Sequence, residues 1–345
     1  MDYKSKEVDS VAVSKTLCML LVVLGHAASI YANYGWGNMY PSIQSDFLAK
    51  LVSCLSTFHT QTFTFASGYL FYLLRYEKDR YRMPKVDFSK RITRLAIPYI
   101  ILSAVWAIPF GIFFERLTPA LIIRNYACAI NPAQLWFLLM IFGEFAIFYS
   151  LSDMMLKHIK LSCTVLILLY YSTYLLSIKL PMGIFQLGVI IRYAFFYFLG
   201  LCFRKQKSNR LLQYRQTPVL SLVGFVVLFG VCSVLAEKLL LVKIMLEPAL
   251  SVLGILMVIS FSYHANEMIK GNRLLYKAYT TFSEVSMGVY LLHQQLMYVS
   301  VKLYNTYVQI PALTVLLSFL SVFTVTTVIV LLIRGSKIGR LCLGG

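Results

Sequence analysis

Stretches of about twenty apolar residues, separated by short polar breaks, recur along the whole chain. They fall at roughly 12–32, 48–74, 95–114, 134–153, 161–179, 184–203, 217–236, 243–263, 281–302 and 311–333. A helix rises about 1.5 Å per residue, so runs of about this length cross the hydrocarbon of a bilayer. The pattern predicts an all-α, polytopic membrane helix bundle with about ten transmembrane helices. The pair 161–179 and 184–203 is divided only around Pro181. With no internal repeat and no long soluble insertion, residues 1–345 read as a single integral-membrane domain. The longest outer segments are 33–47 and 115–133, and the second has room for a short interfacial helix. Both carry residues suited to contacting a molecule outside, although aromatic residues at this level also serve as interface anchors.

Composition agrees with this reading. The chain is 59% hydrophobic and 13% charged, too little polar surface to cover a soluble globule of this size. A formal charge of +18 would suggest nucleic acid for a soluble protein. Here the cations lie between apolar segments, where they report topology and argue for no nucleic-acid partner. With the N-terminus inside, 24 of the 32 Lys and Arg fall on inner pieces and seven on outer ones, with Arg192 left inside a span. That bias predicts both termini in the cytoplasm. The first apolar run followed by His26-Ala27-Ala28-Ser29 has the look of a cleavable leader. The residues before it are charge-balanced, however, which reads as a retained first span. The seven cysteines form no CxxC and behave as small hydrophobes.

Chemistry enters with Lys15-Thr-Leu-Cys-Met-Leu-Leu-Val-Val-Leu-Gly-His26. Eleven residues of helix turn about 1100° and rise about 16 Å, so Lys15 and His26 share one helix face. Counted from the nearest inner charge, His59, Glu144, Arg192 and His293 reach about the depth of His26, some 16–24 Å from the inner surface. Ionisable groups this deep cost several kcal/mol and turn towards a bundle interior or a wet cavity. A shared depth is compatible with a common polar chamber. It is equally compatible with local roles: His59 and His293 as hydrogen-bonding glue between helices, and Glu144 with Arg192 as one buried ion pair. No histidine pair has the spacing of a metal-ligand motif such as HxxxH, so no metal is expected. A neutral imidazole held away from water suits proton abstraction from a hydroxyl.

Five motifs in order give the chain a resemblance. Lys15 to His26 is similar to the basic residue, ten-residue gap and His that mark the first span of the integral-membrane acyltransferase family 3, in particular its fucose 4-O-acetylase-like, polysaccharide O-acetyltransferase branch. Phe58-His59 through Phe71 resembles the second-span pattern, including Ser67-Gly68-Tyr69. Residues 90–100, with Lys90, Arg91 and Arg94, are similar to the basic stretch and Pro-Tyr that open the third span. Residues 135–142 are similar to the Trp-containing fourth span, and 286–294 to the late Ser-x-Gly-x-Tyr-x-x-His segment. Thr60-Gln61-Thr62 departs from the usual Met-Pro-Leu. Ile141 and Phe142 stand where some branches carry paired glutamates, so Glu144 does not inherit their role.

The resemblance implies transfer of an acyl group, usually acetyl, from cytoplasmic acetyl-CoA to a hydroxyl of a cell-surface or lipid-linked polysaccharide sugar. The enzyme would be multi-pass in a bacterial cytoplasmic membrane and would hold no tightly bound cofactor. Its partners would be acyl-CoA, a glycan or lipid-linked saccharide acceptor, and the lipid bilayer. His26 is then expected as the catalytic residue. Lys15, Lys90, Arg91 and Arg94 are expected to bind the donor, and His59, Ser67, Glu144, Arg192 and His293 to line the site. The competing class is a lipid-linked sugar flippase or transporter, for which neither an inverted repeat nor a pair of matching broken helices is present.

Overall fold

A computed structural model describes residues 3–32, 39–176, 183–206, 212, 214–236 and 239–345. The elements are α1 (Tyr3–Ala28), α2 (Asp46–Ser56), α3 (His59–Tyr72), α4 (Pro84–Glu115), α5 (Pro119–Ile122), α6 (Trp136–Lys157), α7 (Ile159–Leu176), α8 (Leu187–Lys205), α9 (Thr217–Ala236), α10 (Leu240–Gly271), α11 (Arg273–Tyr307), α12 (Pro311–Arg334) and α13 (Lys337–Cys342). Among the described residues, seven helical stretches are long and apolar enough to cross a membrane, built on α1, α4, α6, α8, α9, α10 and α12. Helix α7 is apolar but shorter. Helices α3 and α11 miss that group because they carry the polar residues of the site, among them Thr60, Gln61, Thr62, Thr64, His293, Gln294 and Gln295. The result is the expected all-α polytopic bundle, with helix in the described part of each of the ten apolar segments.

Three differences from the sequence pattern have local causes. Helix α1 begins nine residues before its apolar run, because Tyr3 to Leu24 contains no Gly or Pro to stop it. The expected second span is two helices. It breaks at Thr57-Phe58, where the Thr57 hydroxyl turns back to the Cys54 carbonyl at 2.7 Å and Phe58 leaves the helical region. Helix α4 contains two wide, five-residue turns at Ile92–Ala96 and Ser103–Ala107, each just ahead of a proline, Pro98 or Pro109. Proline lacks the amide hydrogen and crowds the carbonyl four residues earlier, and widening the turn relieves both. The expected interfacial helix is α5, continued by a wide turn at Ile123–Ala127. The expected break at Pro181 lies outside the described residues.

Helix α1 runs through the middle of the bundle and packs on α3, α10 and α11. Helices α3 and α8 cross at backbone contact. A Cβ on Gly68 would lie 1.9 Å from the Tyr197 carbonyl oxygen, and one on Gly200 would lie 2.0 Å from that of Phe65. Small residues permit such close approach between membrane helices. Tyr69, beside Gly68, is fully buried and accepts from the Arg204 guanidinium at 2.7 Å, while Arg204 also chelates Glu77 at 2.6 and 2.7 Å. The Gly68-Tyr69 part of the second-span motif is therefore packing and anchoring, with Ser67 left facing the site.

Candidate active site

Lys15 does not sit alone on its helix face. It lines a cavity of about 480 Å³ at one end of the bundle, together with Ser67 of α3, Arg91 and Arg94 of α4, and Arg334 and Arg340 near the chain's last helices. Arg91 is held by its surroundings: it donates to the Tyr81 hydroxyl at 2.7 Å, and its guanidinium lies 4.4 Å from the Phe145 ring centroid and 5.5 Å from that of Tyr81. The planar, weakly hydrated guanidinium suits such stacking and leaves further donors for an anion. Ser67 donates to the Phe63 carbonyl at 2.9 Å, which leaves its oxygen able to accept from a ligand. Lys90 is exposed and does not line the cavity.

The cavity wall extends towards the histidines. Met19 and Tyr290 line it, and the Tyr290 ring lies 5.9 Å from that of His293. His293 and His26, far apart in sequence, meet with Nε2 to Nδ1 at 3.1 Å and ring centroids 4.9 Å apart. Helix α11 is fixed at this level by its neighbours. Gln134 donates to the Leu291 carbonyl and to Gln295 Oε1, both at 2.6 Å; Trp106 donates to the Leu292 carbonyl at 3.2 Å; the Tyr290 hydroxyl donates to the Gln134 carbonyl at 2.5 Å.

Protonation can be assigned from the partners. His293 Nδ1 faces two carbonyl oxygens, Tyr290 at 2.8 Å and Val289 at 3.1 Å. A carbonyl only accepts, so Nδ1 carries the hydrogen and the Nε2 of a neutral His293 is an acceptor. Its partner, His26 Nδ1, must then donate, which puts the His26 lone pair on Nε2. His59 takes the opposite form. Its Nδ1 accepts the Thr60 amide at 2.7 Å, so its Nε2 carries the hydrogen and is a donor. His59 opens α3, which packs against α1, the helix that carries His26. One ring can take a proton and another can donate a hydrogen bond to developing negative charge.

Of the residues expected to line the site, Ser67 lines the cavity itself, whereas His59 and His293 lie beyond its lining. Neither Glu144 nor Arg192 lines the cavity, and they do not pair with each other. Glu144 is fully buried, with no hydrogen-bond partner for either carboxyl oxygen among the described residues. Arg192 lies over the Tyr174 ring at 4.7 Å and interacts electrostatically with Glu247. Shared depth brought His26, His59 and His293 together but not these two. Sequence reasoning missed Arg334, Arg340 and Tyr81. The only signal was their position just outside a span, which basic residues occupy in any membrane protein.

No curated protein and no solved structure matches the chain. A family model described as an acyltransferase domain matches residues 8–335, a range that contains Lys15, both histidines of the pair, Arg91, Arg94 and the helices that position them. The chain therefore belongs to acyltransferase family 3 and is an all-α membrane acyltransferase.

Proposed function

We propose that the protein is an O-acetyltransferase that moves an acetyl group from cytoplasmic acetyl-CoA to a hydroxyl of a cell-surface or lipid-linked polysaccharide sugar. One observation carries the reading: a cavity lined by Lys15, Arg91 and Arg94 extends from one end of the bundle to Tyr290, beside the His26–His293 pair. The donor is a polyanion at one end and a thioester at the other. Its phosphates fit the cationic end, and its pantetheine arm would point along α1 towards His26.

In this reading His26 Nε2 takes the proton of the acceptor hydroxyl as the oxygen attacks the thioester carbonyl. The new C–O bond forms, the C–S bond breaks, and the thiolate leaves with its electron pair and recovers a proton from His26. His59 Nε2–H is the candidate donor to the carbonyl oxygen while it carries negative charge, since the Ser67 hydroxyl already donates its hydrogen to the Phe63 carbonyl. His293 holds the His26 tautomer in place. In this reading the donor reaches the histidines from the cationic end and the acceptor from the opposite side, with the bacterial cytoplasmic membrane between the acetyl-CoA pool and the glycan.

Membrane vesicles carrying the protein, incubated with radiolabelled acetyl-CoA and envelope glycan, are expected to transfer label to the glycan. Absence of transfer to any glycan acceptor would favour a transporter or a non-catalytic partner. Reversing the charge at Arg91 (Arg91→Glu) is expected to raise KM for acetyl-CoA by at least about 10-fold, since it removes a charge-assisted contact and adds a repulsive one, together about 1.5–3 kcal/mol. An unchanged KM would remove Arg91 from the donor site.

A further inference from the structure

The donor reading leaves the end of the chain without a task, although that end forms part of the cavity. Arg334 closes α12 and donates to the backbone carbonyl of Glu284 on α11. The next residues turn back: the Ser336 hydroxyl caps α13 by accepting the Gly339 amide at 2.8 Å, and Arg340 donates to the Arg334 carbonyl at 3.0 Å. Helix α13 then packs on the Ile97–Leu102 part of α4. Gly344, at φ +75°, lies so close to α4 that a Cβ there would sit 2.5 Å from the Arg94 carbonyl oxygen. The closing segment is thus fastened to the helix that carries Arg91 and Arg94. It brings two more guanidiniums to the same cavity, where Glu284 is the only side-chain carboxylate among the described lining residues and Gly345 lies on the same wall.

These guanidiniums occupy the rim. Arg340 is exposed and Arg334 half-buried, whereas the cavity's inner wall is formed by Met19, Phe137 and Tyr290. A donor whose thioester points at the histidines leaves its nucleotide at the rim. The two kinds of phosphate on that nucleotide differ in charge. Each phosphate of the diphosphate carries about one negative charge, and the terminal 3′-phosphate, a monoester, carries about 1.5 to 2. Paired guanidiniums match a phosphate monoester in charge and in fork geometry better than single ammonium groups do.

We infer that Arg334 and Arg340 form a phosphate-monoester subsite that selects donors bearing the 3′-phosphate of coenzyme A. The inference rests on the donor assignment above and assigns the closing segment a specificity role within it. Diphosphate recognition then stays with Lys15, Arg91 and Arg94, and discrimination between phosphorylated and dephosphorylated donors lies with the last two arginines. An anionic lipid headgroup presents the same monoester or diester chemistry at the same surface, so the lipid must be controlled.

The full chain, reconstituted in vesicles of phosphatidylcholine alone, is to be assayed with acetyl-CoA and with its 3′-dephospho form. The wild-type KM is expected to be at least 10-fold higher for the dephospho donor. In Arg334→Ala and Arg340→Ala that ratio is expected to fall towards one, and Arg340→Lys should keep an intermediate ratio. Arg340 is exposed and bonds only to a neighbouring carbonyl among its described contacts, so its variant keeps the test independent of folding. If the wild type uses both donors and the ratio is the same in both arginine variants, the subsite is wrong while the donor reading stands. If the ratio falls only when anionic lipid is added, the arginines read lipid and the inference fails. If the wild type neither binds nor uses either donor, the donor reading itself fails and takes the subsite with it.

Discussion

Replacing His26 by alanine is expected to lower acetyl transfer by about 10²–10⁴-fold at equal protein level, the usual contribution of a positioned base. Donor binding should survive, because Lys15 lies about three turns from His26 along α1 and the other cations of the cavity stand on other elements. The loss should therefore fall on kcat, with KM for acetyl-CoA little changed. His293 acts through His26. Its Nδ1 is pinned by the Tyr290 and Val289 carbonyls, and its Nε2 orients the His26 ring at 3.1 Å. His293→Ala is expected to cause a smaller kcat loss than His26→Ala, and the double variant should be no worse than His26→Ala alone. Wild-type transfer by His26→Ala, measured with labelled acetyl-CoA, would place the base elsewhere.

The second large effect is structural. Gly68→Ala would put a methyl group 1.9 Å from the Tyr197 carbonyl oxygen, a contact that no rotamer change can relieve because both atoms are fixed to backbone. Helices α3 and α8 would have to separate, opening the packing of Phe71 against Tyr197 and of Phe65 against Phe203. A cost of about 3 kcal/mol or more is expected, at the upper end of overpacking effects. The measurement is the thermal unfolding midpoint of purified protein, which should fall steeply. Gly200→Ala should behave alike, as the reciprocal contact at 2.0 Å requires. A midpoint within a degree or two of wild type would show that the crossing can relax.

Much of this was legible in the sequence because hydropathy and helical rise report depth. Lys15 and His26 are set on one face by their spacing, and the level of His293 follows from its distance to Lys277. Rotation about each helix axis was not legible. Glu144 and Arg192 have the right depth but turn away from the cavity, and what turns them is the packing of α6, α7 and α8, where long-range contacts such as Phe148 stacked on Tyr197 at 4.6 Å decide orientation. The tautomers of His26 and His59 were hidden for the same reason, since each depends on a partner atom. Arg334 and Arg340 were hidden differently. A cation beside a span has an ordinary explanation in topology, and only the return of the closing segment onto α4 gives these two another.

The cavity has two unlike sides. On one, α3 and α8 touch backbone to backbone at Gly68 and Gly200, so neither can slide without breaking both contacts. On the other, α4 is interrupted by two wide turns, and α13 is a short helix packed on it. Four of the five cations, Arg91, Arg94, Arg334 and Arg340, belong to that second side or adjoin it. In the proposed reading, a polyanion bound between them would tie α4 to the closing segment, so that the donor itself would complete one wall of the cavity.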